Sequence, residues 1–274
     1  MYKIEGIKDV REVKIKTPFG NPSDKIVTGS MEGFPGGIAF LPRHGVGHRI
    51  MPSELNSRAN IYALKSLGVT RILSISACGS LKEEIKPCDF VFPDQLFDRT
   101  KCRNNSFFGK GIVGHIGFAE PFCRTLSGIV YAEACKLGIR SHPGGTYVCI
   151  DGPQFSTKAE SEVNRKSGFS IVGMTAIPEA KLAREAEICY ATIGLVTDYD
   201  VWKEGEEVSI GQIIQNLNRN VDNVKNLIKK ALPLIAQEKE CGCNSALKHA
   251  IFTNRKYMNK AALAKLKPLI GKYI

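Results

Sequence analysis

The 274-residue sequence contains no apolar run that approaches the roughly 20 residues of a membrane-spanning helix. Behind its start, Met1-Tyr2-Lys3-Ile4-Glu5, there is no apolar segment of the kind that marks a secretory signal. Internal repeats are absent, and no low-complexity linker occurs before about residue 237. These absences point to a cytoplasmic chain with no membrane partner. Acidic residues are also scarce, 27 against 38 basic ones, for a net charge of +11. The excess is concentrated at one end: residues 252–274 hold Arg255, Lys256, Lys260, Lys265, Lys267 and Lys272 and no acid. Without them the body is only mildly basic, which suits an anionic small substrate as well as a polynucleotide. The tail reads as a solvated basic helix, and nucleic acid is not an expected partner.

What is present is the composition of a globular protein, 43% apolar and 24% charged. Short β-rich runs alternate with helical patterns, the signature of an α/β fold with a mixed, largely parallel sheet flanked by helices. Strands are expected at Ile26–Ser30, Ile38–Leu41, Arg71–Ser76, Phe90–Phe92, Thr146–Ile150, Ser170–Met174 and Ala191–Val196. Helices are expected at about Ser53–Leu67, Glu120–Leu137, Lys158–Ser167 and Pro178–Glu187. From Ile210 to Leu232 apolar residues recur at steps of three and four, which predicts one buried helical face. We therefore expect a single domain over residues 1–236, followed by a Cys-Gly-Cys segment and basic tail over 237–274.

The nine cysteines are odd in number and mostly scattered through apolar stretches, as free thiols are. Cys241-Gly242-Cys243 is the exception. Its spacing is too short for most structural zinc sites, and the sequence offers no second cysteine pair or histidine cluster to complete four ligands. No metal site is expected. A short disulfide or redox pair and two idle thiols remain open alternatives.

Ligands of open α/β sheets bind at the carboxyl ends of the strands, and four segments place polar residues there. Arg43-His44-Gly45 follows one strand and offers a guanidinium fork beside a backbone that glycine lets approach an anion; an ordinary surface turn reads the same way. Ser74-Ile75-Ser76-Ala77-Cys78-Gly79-Ser80 runs a strand into small residues whose N–H groups suit phosphate, as any tight strand exit does. Asp151-Gly152-Pro153-Gln154-Phe155-Ser156-Thr157 sets an aromatic beside hydroxyls, an arrangement that stacks on a base and bonds its edge. Thr197-Asp198-Tyr199-Asp200 ends an apolar strand. Two aspartates two apart in an extended chain share a face, and two such charges in a dry pocket do not both ionise cheaply. A protonated carboxyl donating to a ring nitrogen, beside an ionised one accepting from an amino group, matches the N7 and N6 edge of adenine. A pair of exposed loop-capping aspartates is the alternative.

Taken together the motifs resemble the 5'-methylthioadenosine phosphorylases of the purine nucleoside phosphorylase family. Matching strings run from Thr17-Pro18-Phe19-Gly20 through Pro22-Ser23-Asp24, Arg43-His44-Gly45, Met51-Pro52-Ser53, Asn60-Ile61 and Ala77-Cys78-Gly79-Ser80-Leu81. They continue with Asp94-Gln95, Asp98-Arg99-Thr100, Ala119-Glu120-Pro121-Phe122-Cys123, Gly152-Pro153, Met174-Thr175, Pro178-Glu179 and Thr197 to Trp202. The resemblance implies a nucleoside phosphorylase-like fold and phosphate-dependent cleavage of an N-glycosidic bond, with inorganic phosphate as co-substrate and no other cofactor. It also implies a homo-oligomer, trimer or hexamer. Arg43, His44, Ser76, Ala77 and Thr175 would surround phosphate. Phe155 and Met174 would contact base and ribose, with Ser156, Asp198 and Asp200 on the purine edge and His115 lining the pocket for the 5'-substituent. Asp198 is the implied general acid and Asp200 the group that holds N6. Asp-Tyr-Asp is the adenine-type pattern, where 6-oxopurine members carry asparagine. The stretch Cys241 to Leu247 resembles the cysteine-rich tail of archaeal members.

Three features depart from the family pattern. Members begin with a strand and a Gly-Gly-Ser/Thr-Gly loop that binds phosphate, whereas this sequence opens where that loop ends and contains no other copy; an upstream start codon is the expected explanation. Val46 stands where a polar or basic residue is common, and Asp151 and Gln154 where Glu and Arg are usual. A broader phosphorylase acting on adenosine or inosine, and a non-catalytic nucleoside-binding protein, are the competing readings.

Overall fold

The computed structural model describes residues 4–206, 209–237 and 241–274. Met1 and residues 238–240, at the edge of the expected tail, lie outside them. Three strands open the chain as an antiparallel meander: β1 (Ile7–Val13), β2 (Ile26–Met31) and β3 (Phe34–Phe40). The expected strands Ile26–Ser30 and Ile38–Leu41 are both there. β1 was not expected, because its central residues face solvent and give no apolar alternation.

Helix α1 (Ser57–Ser66) starts later than the sequence predicts. Pro52–Glu54 forms a separate 3-10 turn, and Asn56 caps α1 by accepting from the Ala59 N–H. The main sheet then assembles from β4 (Arg71–Ser80), β5 (Phe90–Phe92), β6 (Gln95–Asp98), β7 (Ser141–Pro143), β8 (Thr146–Cys149), β9 (Ile171–Gly173) and β10 (Cys189–Asp198). Their spatial order is β6-β8-β9-β4-β10-β5-β7. The pairs β6–β8, β8–β9, β4–β10 and β5–β7 are parallel, while β4–β9 and β5–β10 are antiparallel. The sheet is mixed and largely parallel, as expected; β6 and β7 are the additions, each too short to carry a period of its own.

β10 is buried on both faces, which is why it reads as a continuous apolar run. Cys189, Ala191, Ile193 and Leu195 point into one core with α2 (Arg124–Lys136) and α5 (Ile210–Gln237). Tyr190 points the other way, into a core with Ala180, Leu182 and Ala183 of α4 (Ala176–Glu185). The buried face of α5 begins only at Asn220; Ile210 and Ile214, expected on that face, stand 70% and 53% exposed. No described helix is long and apolar enough to cross a membrane.

The segment after α5 is more than a solvated tail. Its last helix, α6 (Lys260–Ile270), turns Leu266, Leu269 and Ile270 into the same core as α4, joined by Leu247 and Ala250. Its lysines supply the outer face, so the basic-helix reading describes half of it. The buried carboxylate of Glu187 anchors the segment by accepting from the Leu247 N–H at 2.9 Å and the Tyr273 hydroxyl at 2.5 Å, with Lys272 Nζ 2.6 Å away. Leu247 is 1% exposed. Leu247→Ala is therefore expected to cost about 2–5 kcal/mol in chemical denaturation, and deletion of residues 246–274 to cost more, by uncovering Leu182 and Ile188. An unchanged denaturation midpoint for both would show that the segment only rests on the body.

Candidate active site

The parallel pairing of β4 with β10 sets the site. It runs in register from Arg71 opposite Cys189 to Cys78 opposite Val196, then slips so that Gly79 faces Asp198. Such an irregularity at a strand end re-aims the side chains that follow. A Cβ on Gly79 would sit 2.9 Å from Asp198 Oδ1, so the glycine makes room for the carboxyl. Asp198 Oδ2 accepts from the Thr197 hydroxyl at 2.7 Å and Oδ1 from the Asp200 N–H at 2.8 Å. The two aspartates are close, but not as alternate residues of one strand. Asp200 has a φ of +52° and lies past the strand end, folded back on its neighbour.

Burial raises the Asp198 carboxyl above the ordinary aspartate range, and the charge of Asp200 adds to the shift, against the hydrogen bonds from Thr197 and Asp200. Asp200 is raised as well, again chiefly by burial, with the hydroxyls of Ser161 and Ser156 working in the other direction. Yet Asp200 Oδ2, Ser156 Oγ and Ser161 Oγ are buried without a full hydrogen bond among the described residues. These buried polar atoms keep hydrogen-bonding capacity to spare, which suits a polar ligand. Two asparagines that the sequence reading missed steady this end of β10 from α5: Asn216 Nδ2 donates to Thr197 O at 2.8 Å and Asn220 Nδ2 to Val196 O at 3.0 Å.

The phosphate candidates fall into two linked groups. Arg43 Nη1 donates to Glu179 Oε2 at 2.7 Å and to Ser74 Oγ at 2.8 Å, while Nη2 donates to Ile75 O. Tyr190 completes the set by donating to Glu179 at 2.8 Å. Burial opposes the charge on Arg43, and the Glu179 carboxylate together with Tyr190 and Tyr147 more than offsets it. Of the five guanidinium hydrogens, Nε–H and one on Nη2 remain for another partner. His44 Nδ1 lies 2.9 Å from Ile50 O, so it carries a proton; burial lowers the ring's pKa against that hydrogen bond, and in the neutral ring Nε2 is an acceptor. Its ring stacks on His48 at 4.5 Å.

In the second group, Ser76 Oγ lies 3.1 Å from the Tyr147 hydroxyl and 3.2 Å from Thr175 Oγ1. Thr175 directly precedes α4, and Ala77 is the exposed residue next to Ser76 on β4. Tyr147 was not singled out by the sequence, since nothing in its strand separates it from an ordinary core tyrosine.

The base-side loops meet at Gly152 and Met174. A Cβ on Gly152 would lie 2.3 Å from Met174 Sδ, and the glycine has a φ of +65°, so both space and backbone require it. Phe155 is 54% exposed on this loop, and Thr157 and Glu160 close a capping box on the next helix, α3 (Lys158–Lys166). Arg103, also missed, ties the loops together. It donates to Met174 O at 2.8 Å, Ile177 O at 2.6 Å, Asp151 O at 2.9 Å and Asp151 Oδ1 at 3.1 Å. Its partners lie some 50 to 75 residues downstream, so no local motif announces it.

His115 is not gathered with these groups. It is exposed in an irregular segment rather than after a strand; its N–H donates to Ala250 O at 2.8 Å and its ring meets Phe252 edge-on at 5.0 Å.

Residues 4–233 match the family model of the phosphorylase superfamily. The S-methyl-5'-thioadenosine phosphorylase of Koribacter versatilis is 50% identical over 274 residues, covering 100% of this chain and 93% of the relative. The crystal structure of a methylthioadenosine phosphorylase from an antarctic soil metagenomic library superposes with a TM-score of 0.93 at 48% identity, covering 98% of this chain and 94% of that one. The methylthioadenosine phosphorylase of Schistosoma mansoni in complex with adenine superposes at 0.85 with 37% identity, covering 90% and 94%. With that match over most of its length, the chain belongs to the phosphorylase superfamily.

Proposed function

We propose that the protein catalyses the reversible phosphorolysis of 5'-methylthioadenosine to adenine and 5-methylthioribose 1-phosphate. The observation that carries this reading is the group of unsatisfied polar atoms on Asp200, Ser156 and Ser161 beside a carboxyl whose burial favours its protonated form. The full-length relatives that bear this name support it. As the glycosidic bond lengthens, its electron pair moves to the base and positive charge develops on the ribose. Asp198 would donate its proton to N7, neutralising the departing adenine, while Asp200 accepts from the N6 amino group. Ser156 would bond the purine edge, with Phe155 and Met174 against base and ribose.

Phosphate, the co-substrate, would attack the ribose carbon from the opposite face. Ser76, Thr175 and the Ala77 backbone supply donors, and His44 Nε2 accepts the proton of a monohydrogen phosphate. Arg43 acts through its two remaining hydrogens, since Glu179 already balances its charge. These steps call on positioning and electrostatics and on no organic cofactor.

Adenine release from methylthioadenosine should rise with phosphate and fall by about a hundredfold in Asp198→Asn, the scale of losing a general acid. The loss should be smaller for inosine, because asparagine suits a 6-oxopurine. In the wild type kcat/KM falls as pH rises through the Asp198 pKa, and the variant loses that limb. Tight calorimetric binding of methylthioadenosine without phosphate-dependent turnover would instead establish a nucleoside-binding protein.

Arg43→Ala should raise the KM for phosphate about tenfold or more with a much smaller change for nucleoside. It also strands the buried Glu179 carboxylate, so the thermal midpoint should drop. Equal changes in both KM values would move the anion site elsewhere.

We also take the protein to be a homo-oligomer, a trimer or hexamer. Val113 and Phe252 stand 46% and 71% exposed beside His115, apolar side chains of the kind that subunit contacts cover. In such an assembly His115 is free to face a neighbour's pocket. Light scattering should report the oligomer for the wild type and smaller species for Phe252→Glu; a monomeric wild type contradicts it.

A further inference from the structure

The fold completes what the sequence spacing left incomplete. Cys123, Cys189, Cys241 and Cys243 come from three separate regions, yet their four sulfurs lie within 4.8 Å of one another. Cys123 caps the N-terminus of α2, Cys189 opens β10, and the Cys-Gly-Cys pair follows α5 at the head of a 3-10 turn. All four are free thiols, and three of them are buried. We propose that these four cysteines form a structural zinc site.

The geometry fits the ion. A tetrahedral zinc with bonds of about 2.3 Å places its sulfurs about 3.8 Å apart, so a set this compact needs only sub-ångström adjustment. Cys189 Sγ and Cys241 Sγ lie 2.9 Å apart, outside the roughly 2.05 Å of a disulfide bond, and the other two sulfurs are within 4.8 Å of both. Four thiolate donors with no oxygen or nitrogen among them favour zinc over the hard cations.

The ligand backbones are already fixed: the Cys123 N–H donates to Tyr190 O at 2.8 Å and the Cys189 N–H to Thr70 O at 3.0 Å. Around them lies the kind of outer shell that steadies a metal centre. The Leu126 N–H points at Cys123 Sγ at 3.5 Å. Arg71 and Thr125 line a small cleft against Cys123, Cys189 and Cys241, which gives an entry path and places a cation beside the dianionic centre. Binding is balanced as one Zn²⁺ displacing four thiol protons to solvent, with no change of oxidation state.

The site would close the end of α5 onto the starts of α2 and β10, and so fix the root of the C-terminal segment whose far end Glu187 holds. It lies apart from the phosphorolysis site and supplies no group to that reaction.

The test uses the full-length chain, purified under reductant from zinc-supplemented cells and measured by elemental analysis and native mass spectrometry. One zinc per chain is expected, lost in Cys189→Ser and Cys243→Ser and retained in Cys102→Ser and Cys135→Ser, whose thiols are elsewhere on the surface. Should the ligand variants fail to fold, chelated wild-type protein reloaded with Co²⁺ should show the ligand-field spectrum of a tetrahedral thiolate site. Chelation should also lower the thermal midpoint of the wild type and leave that of Cys135→Ser to fall by the same amount. A reduced protein that takes up no zinc or carries iron instead, or four cysteines recovered as disulfides from protein made in the same cells without reductant, overturns the proposal.

Discussion

The site rests on one backbone constraint, the parallel pairing of β4 with β10. Eight consecutive residues of each strand are locked in register before the ladder slips at Asp198. Because β10 is buried on both faces, a one-residue shift would exchange the side chains of its two different cores, so the register is strongly held. That single pairing brings Gly79 of one strand beside Asp198 of the other, across more than a hundred residues of sequence, and sets Ser74 and Ser76 opposite Thr192 and Gly194 on the same ladder.

Around that frame, buried charge is tolerated only where it is matched. Arg43 and Glu179 are 14% and 8% exposed and satisfy each other with help from Ser74 and Tyr190. Arg103 is surrounded by carbonyl oxygens and Asp151. Such pairs add little net stability, since desolvation consumes most of the attraction, but removing one partner is costly. Their consequence here is rigidity: the loops that carry Met174 and Asp151, and the part of β4 beside Ser76, are held by fixed donors. Asp200 is the contrast, with a buried oxygen left unmatched where a base would bind.

The sequence disclosed the strands, most helices and the candidate residues because each left a local trace: an apolar run, a period, or a polar string at a strand end. It could not disclose what depends on long-range closure. Arg103 and Tyr147 look ordinary until their partners arrive from distant segments. Asn216 and Asn220 sit among the polar residues of a helix and gain meaning only against β10. The exposure of Ile210 and Ile214 ran against their periodicity, since a repeat fixes which residues share a face and not how far the covering surface extends. The basic composition of residues 252–274 concealed an apolar stripe, and Cys241 and Cys243 were read apart from the scattered thiols although the fold gathers Cys123 and Cys189 to them. The paired aspartates were legible, but for a reason that proved different: Asp200 meets Asp198 by turning back, not by alternation.

The account depends most on Asp198 holding a proton more tightly than an exposed aspartate does. A carboxyl carbon-13 NMR titration, with the Asp198 resonance assigned by its loss in Asp198→Asn, measures this directly. The account predicts a pKa above the ordinary value of about 3.9, lowered in Asp200→Asn once the neighbouring charge is gone. Titration at or below the ordinary value, unaffected by Asp200, would contradict it.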